Sequence, residues 1–389
     1  MKHVLLLCLS IAFLASSCKT AADLSVSKTM NIAEDQLTYS LKNHTDKTTF
    51  PRSTNADGSL HTVPSRDWTS GFYPGSLWYL YDYTQDQKWA DTASAWNAGL
   101  ESVKFNTHTH DLGFVLYSSF GNGLRLTENP KYAQILLQGS QTLIKRFDPV
   151  VGSIRSWDFG TWEYPVIIDN MMNLEMLFWA TKYSGDSIFY DIAVKHADTS
   201  MKNHYRDDFS SFHVVDYDTL TGKPKVKKTH QGYSDESAWA RGQAWGLYGF
   251  TMVYRETGDK KYLEQAENIA DFYLNHPNLP ADLVPYWDFD APGIPNEPRD
   301  ASAAAIAASA LLELSRYSEK GSTYFASAEK MLSSLSSPAY LAKPGTNQGY
   351  ILMHSTGHMP NKSEIDSPIS YADYYFLEAL KRYQMLNPE

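Results

Sequence analysis

Three segments bring titratable, amide and aromatic side chains together where an apolar helical run begins. They are His108-Thr-His-Asp-Leu-Gly-Phe114, Ile167-Ile-Asp-Asn-Met-Met-Asn173 and Gly232-Tyr-Ser-Asp-Glu-Ser-Ala-Trp-Ala-Arg-Gly-Gln-Ala-Trp245. Taken singly, Asp111 and Asp169 read as helix caps, because aspartate satisfies the free amides of a first turn. The setting of Asp169 argues for more: Val166-Ile-Ile precedes it and Asn170, Met171 and Met172 follow, so it lies at the mouth of a buried segment. A helix start holds a carboxylate ionised, whereas an apolar pocket or a second carboxylate raises its pKa. Convergence of Asp111 and Asp169 would supply the raised pKa that an acid catalyst working near neutral pH needs.

Arg241 and Trp245 are four residues apart and share one helix face. A guanidinium can fork onto a substrate carboxylate while an indole stacks on a sugar. An internal ion pair beside a core tryptophan explains the same spacing, and both readings stay open. His213, in Ser211-Phe-His-Val214, reads as a buried strand histidine, and Gln231 as a loop amide. Phosphate loops, dinucleotide fingerprints, serine nucleophile elbows and His-Glu-x-x-His zinc patterns do not occur. No metal and no cofactor is expected.

The elements that must position these residues are helical. Apolar periodicity recurs through Asn31 to Lys42, Phe72 to Thr84, Lys88 to Asn106, Pro130 to Phe147, Asp169 to Tyr183, Ser187 to Tyr205, Ser234 to Thr257, Lys260 to Asn275, Asp300 to Ser318 and Ser367 to Met385. Short turns such as Gly185-Asp186 and Gly258-Asp259 join a more apolar helix to a more polar one. This alternation predicts an all-α fold of concentric inner and outer helix rings, with a strand-like piece at Ser211 to Asp218 in a short hairpin on one rim. A tetratricopeptide-type solenoid competes, but no motif repeats at a fixed period.

The 389 residues carry a net charge of −10 with no run of lysine or arginine, so nucleic-acid binding has no electrostatic footprint. An anionic substrate must be held by local basic groups. Aromatic residues make up 14%, including 26 tyrosines and 10 tryptophans; most fill a large core, and the rest suit sugar-stacking surfaces. Lys2 and His3 precede an apolar run from Val4 to Leu14, then Ala15, Ser16, Ser17 and Cys18. This predicts a lipoprotein-type signal over 1–17, a spacer over 18–30 and a single catalytic domain over 31–389. Export follows, to the periplasm or to the outer membrane through an acylated Cys18. Cys8 lies inside the signal, so no intramolecular disulfide is expected. The expected state is a monomer or weak dimer.

His-Asp-Leu-Gly-Phe, Ile-Asp-Asn-Met-Met-Asn-Leu, Ala-Trp-Ala-Arg-Gly-Gln-Ala-Trp and Pro298-Arg-Asp-Ala-Ser-Ala-Ala-Ala305, in this order, resemble glycoside hydrolase family 88, the unsaturated glucuronyl hydrolases. The resemblance runs from about Asn31 to the C-terminus. It implies an (α/α)6 barrel and a substrate ending in a 4,5-unsaturated uronic acid, the product of a polysaccharide lyase. The double bond is hydrated, with protonation at C4 and water addition at C5. Asp169 matches the general acid and base, and Asp111 the partner carboxylate. Arg241, Trp245, His213, Gln231 and Thr229 match substrate-binding positions, and Trp68, in Trp-Thr-Ser-Gly-Phe-Tyr-Pro-Gly75, an aromatic lining the uronate subsite.

Members acting on sulfated glycosaminoglycans carry a Ser-x-x-Ser-x-Lys pattern. Here Ser355-Thr-Gly-His358-Met-Pro360 keeps only the first serine, which shifts any sulfate contact to His358 and Lys362. The competing functions are an unsaturated rhamnogalacturonyl hydrolase on pectin fragments, an inverting glycosidase with carboxyls roughly 6.5 to 9.5 Å apart, and a non-catalytic glycan-binding lipoprotein.

Overall fold

A computed structural model describes residues 24–387. Cys8, Cys18 and the expected signal lie outside the described residues, as does the spacer up to residue 23. Ser25 caps the first helix by accepting from the Lys28 amide, so α1 (Val26–Asn43) begins inside the segment expected as spacer.

Twelve α-helices follow one another among the described residues, and they alternate in burial. The outer ones are α1, α3 (Gln87–Asn97), α5 (Pro130–Leu143), α7 (Ile188–Asn203), α9 (Lys260–Asn275) and α11 (Gly321–Leu335), each burying one stripe. The inner ones are α2 (Phe72–Thr84), α4 (Asn122–Thr127), α6 (Leu174–Ser184), α8 (Ala240–Thr257), α10 (Ala301–Leu314) and α12 (Ser370–Leu386). A π-helical stretch, Gly113–Gly121, leads into α4, and a 3-10 stretch, Ile168–Asn173, leads into α6. All fourteen residues of α10 are buried, as expected of a helix apolar all round, and its alanines let α8 and α12 approach on either side. α12 packs against both α10 and α2, which closes the ring and rules out the open solenoid.

The Gly-Asp turns behave as their chemistry dictates. Gly185 and Gly258 end α6 and α8 in the left-handed region, at φ 77° and 69°. Asp259 then caps α9 through the Lys261 amide. Side-chain caps sit on outer helices α1, α3, α5 and α9, whereas among the inner helices only α10 has one, Asp300.

Three expectations change. The segment expected as helix from Ser234 starts only at Ala240, because the Tyr233 amide and the Ser237 hydroxyl both donate to Asp288 and hold the stretch as a loop. The long runs expected over Lys88 to Asn106 and Pro130 to Phe147 end earlier as α-helix and tighten into 3-10 turns. Two helical stretches, Gly113 to Thr127 and α11, were not expected at all; glycine and serine thin out their apolar periodicity.

Strands are short. β1 (Thr49–Thr54) pairs with β2 (Leu60–Pro64), and β3 (Phe147–Asp148) with β4 (Ser153–Ile154). The piece expected as one arm of a hairpin is β6 (Val214–Tyr217), the middle strand between β5 (Pro165–Ile167) and β7 (Pro224–Lys228). The Ile168 amide donates to the His213 carbonyl, so this sheet fixes the entry to α6.

Gly71 and Gly75 let α2 lie directly on the π-helical stretch. A Cβ on Gly71 would stand 2.6 Å from the Val115 Cα, and one on Gly75 2.6 Å from the Ser118 carbonyl oxygen. Backbone cannot yield as a side-chain tip can. Gly71→Ala is therefore expected to cost about 1–3 kcal/mol in equilibrium denaturant unfolding.

Candidate active site

The six inner segments run in the same direction, and the chain entering their N-termini carries the residues singled out by sequence. Asp111 stands two residues before the π-helical stretch, Asp169 in the 3-10 turn before α6, Arg241 in the first turn of α8, Asp300 at the cap of α10, and Ser355 and His358 in the loop before α12. The Phe114 amide donates to Asn173 Oδ1 at 2.9 Å and locks the two aspartate segments together.

Neither aspartate caps a helix. Asp111 Oδ2 accepts the Thr109 hydroxyl at 2.5 Å, and Oδ1 lies 3.1 Å from His110 Nε2, so both oxygens are held by adjacent residues. Asp169 is 7% exposed, and its Oδ2 has no hydrogen-bond partner among the described residues. Burial pushes its pKa up to about 7. The charges of His110 and Arg241 and its own backbone amide oppose that rise, and Asp111 adds to it.

His213 Nδ1 accepts the amides of His230 and Gln231, each at 3.1 Å, which leaves the proton on Nε2. That Nε2 faces Asp169 Oδ2 at 3.7 Å. Burial, together with the charges of His230, Arg241 and His358, holds the ring's pKa well below the usual value, so it stays neutral. The strand histidine expected from sequence is thus an aimed donor.

Arg241 takes the internal ion-pair form of the two readings. Its Nη1 donates to Asp300 Oδ2 at 2.9 Å and to the Thr356 carbonyl at 2.7 Å, and its Nη2 to the Gly357 carbonyl at 2.6 Å. The guanidinium lies between the rings of Trp239 and Tyr371, fully buried, and anchors the loop that carries His358. Trp245 is likewise a core residue, packed on Phe114 and Tyr375 with no exposed surface. Trp68 is half-buried against Tyr371, with ring centroids 5.0 Å apart.

Gln231 Nε2 donates to the Gly357 carbonyl at 3.1 Å, and Thr229 Oγ1 accepts the Gly232 amide at 2.8 Å; both fix the loop over His213. Ser355 is buried and pairs through its backbone with Ser367. His358 Nε2 lies 3.3 Å from His230 Nε2, and burial lowers its pKa to about 4. Lys362 is exposed.

Residues not singled out complete the rim. Trp157 stacks on Phe159 at 4.8 Å and lies 5.4 Å from His230, and Phe159 is 56% exposed, an aromatic face open to a sugar ring. Trp157 is tied to Thr109 by a β-bridge, which puts this platform beside Asp111. His110 and His230 were within reach of a sequence reading, being neighbours of Asp111 and Gln231; Trp157 and Phe159 lie in a loop with no periodic signal.

The model of Glycosyl Hydrolase Family 88 matches residues 41–375. An unsaturated glucuronyl hydrolase from Formosa agariphila is 50% identical, covering 98% of each chain. An unsaturated chondroitin disaccharide hydrolase from Streptococcus pneumoniae is 34% identical over 87% of each. The crystal structure of an unsaturated glucuronyl hydrolase specific for heparin superposes with a TM-score of 0.92 at 52% identity, covering 94% of this chain and 98% of that one. The enzyme from Bacillus sp. GL1 superposes at 0.87 with 30% identity, over 94% and 97% of the two chains. Both share the fold over nearly all of this chain, and the helix rings form an (α/α)6 barrel. A buried carboxyl with a raised pKa lies beside a second one at the N-terminal mouth of that barrel, an arrangement suited to acid–base chemistry, and the chain belongs to Glycosyl Hydrolase Family 88.

Proposed function

We propose that this chain is an unsaturated glucuronyl hydrolase in which Asp169 is the general acid and base. The observation that carries the assignment is its isolated carboxyl: buried, unpartnered at Oδ2 and held near pKa 7, it has a proton to give at neutral pH. Asp169 donates that proton to C4 of the terminal unsaturated uronic acid, and the positive charge at C5 is shared by the ring oxygen. Water adds at C5 and returns a proton to Asp169. The resulting hemiketal opens to a C5 ketone, and the hemiacetal left at C1 expels the partner sugar.

Asp111, immobilised by Thr109 and His110, faces the developing charge as the second carboxyl. His213 donates from Nε2, and Trp157 with Phe159 stacks the sugar beyond the cleaved bond. Arg241 acts from behind, as a fixed positive charge and as the anchor of the His358 loop. The 52% identical structure comes from an enzyme specific for heparin, which supports disaccharides from heparin lyases as substrates. His358, neutral at pH 7, would meet a sulfate as a hydrogen-bond donor, leaving Lys362 as the cation nearest in sequence.

Asp169→Asn should lower kcat/KM by about 10²- to 10⁴-fold, read as the loss of the double bond's ultraviolet absorbance, with the fold intact. A panel of lyase-generated disaccharides from heparin, chondroitin, ulvan, gellan and rhamnogalacturonan tests the substrate. Turnover of the rhamnogalacturonan product alone would sink the glucuronyl reading.

The pH dependence has a definite sign. Asp169 must start protonated, so kcat/KM should fall as pH rises through about 7. In the unfolded chain the same carboxyl ionises near its ordinary value of 3.8. Between these two values the unfolded state loses a proton that the folded state keeps, so stability falls with rising pH, by up to roughly 4 kcal/mol. Asp169→Asn escapes this cost, and its stability advantage over the native protein should grow from pH 4 to 7 and then level off in denaturant unfolding.

Export and anchoring through Cys18 are supported by the charged start, the apolar run Val4 to Leu14 and the small residues before the cysteine. Radiolabelled palmitate should enter the native chain and be absent from Cys18→Ser; equal labelling of both overturns the anchor.

A further inference from the structure

From the opposite end of the barrel, the six inner segments enclose a cavity of about 650 Å³ that reaches inward to Gly113, Phe114 and Met172 and is lined by neither Asp111 nor Asp169. None of its polar groups takes part in the reaction above. Its walls set the rings of Tyr79, Tyr117, Trp179 and Tyr248 among the heads of Glu175, Arg255 and Glu378. The polar groups are held rigidly. Glu378 accepts the hydroxyls of Tyr79 at 3.0 Å, Tyr248 at 3.1 Å and Ser309 at 2.6 Å. Arg255 bridges Glu175 at 2.5 Å and Glu313 at 2.7 Å, and Arg382 bonds Glu313 at 2.8 Å. Met385, 74% exposed, stands at the opening.

Charge decides what fits. Four acids, Asp82, Glu175, Glu313 and Glu378, face five bases, Arg125, Arg255, Arg316, Lys381 and Arg382, an excess of one positive charge. The negative ends of six parallel helix dipoles converge on the same place and outweigh that excess, which disfavours an anion. No carboxylate is free for a cation either: Asp82 pairs with Arg125, Glu175 and Glu313 pair with Arg255, and Glu378 accepts three hydroxyls. An apolar molecule would strip water from Glu175 and Arg255, which keep 22% and 27% of their side-chain surface, without replacing its hydrogen bonds. A sugar replaces them, laying its C–H faces on aromatic rings and its hydroxyls on fixed carboxylates and guanidiniums. The volume lies within the range of small-ligand pockets.

We propose that this cavity is a second saccharide site, separate from the catalytic mouth, that takes a neutral mono- or disaccharide. The test is titration of the full protein with N-acetylglucosamine and with cellobiose, followed by saturation-transfer NMR and calorimetry. Weak binding is expected for at least one sugar. It should weaken by about tenfold or more in Trp179→Ala and in Met385→Trp, which plugs the opening, while a native kcat/KM shows that both variants are folded. Trp68→Ala, at the other mouth, should leave it unchanged. Absence of binding up to the solubility of both sugars overturns the proposal. So does binding that survives both cavity variants, or that Trp68→Ala removes.

Discussion

The parallel alignment of six inner helices is the constraint on which the rest of the molecule depends. Each helix presents roughly half a positive charge at its N-terminus and half a negative charge at its C-terminus. Stacked side by side in one direction, they make one end of the barrel attractive to anions and the other to cations. The sequence complies at both ends. Arg125, Lys182 and Arg255 occupy the last turns of α4, α6 and α8, and Lys381 and Arg382 lie near the end of α12. At the other end five of the six inner helices carry no side-chain cap, so their amides remain for the loops and ligand that cover them. An acidic protein can thus receive a uronate without a basic surface.

Within that field, Asp169 shows which effect prevails. The helix terminus, His110 and Arg241 all favour the ionised form, yet burial outweighs them. Arg241 has little to spare for Asp169, since its charge is matched by Asp300 and its donors by two carbonyls. A buried ion pair of this kind adds little net stability. Its work is positional: it ties the cap of α10, the first turn of α8 and the loop before α12 into one unit.

Much of this was legible in the sequence, and the failures have physical causes. The outer helices other than α11 declared themselves through apolar periodicity, and the Gly-Asp turns marked the reversals at 185 and 258. Spacing of four correctly placed Arg241 and Trp245 on one helix face, but periodicity does not say whether that face meets substrate or core; here it meets core. Ser234 to Trp239 resembles helix locally and is overruled by Asp288, 51 residues from Ser237, an interaction no local pattern contains. The aspartates looked like caps because a cap and a site acid occupy the same position in the chain; only the absence of a bonded amide separates them. Trp157 and Phe159 owe their place to loop geometry alone.

The closure of the ring by α12 bears on how the molecule is made. Tyr79, on the first inner helix, shares a hydrogen bond with Glu378, 299 residues later. Until that last helix leaves the ribosome, the nascent chain is a barrel with one wall missing, and the faces of α2 and α10 that α12 will cover remain bare. Helix α12 is accordingly no tail to be trimmed. It is a stave of the ring, and synthesis must pass it before the ring can close.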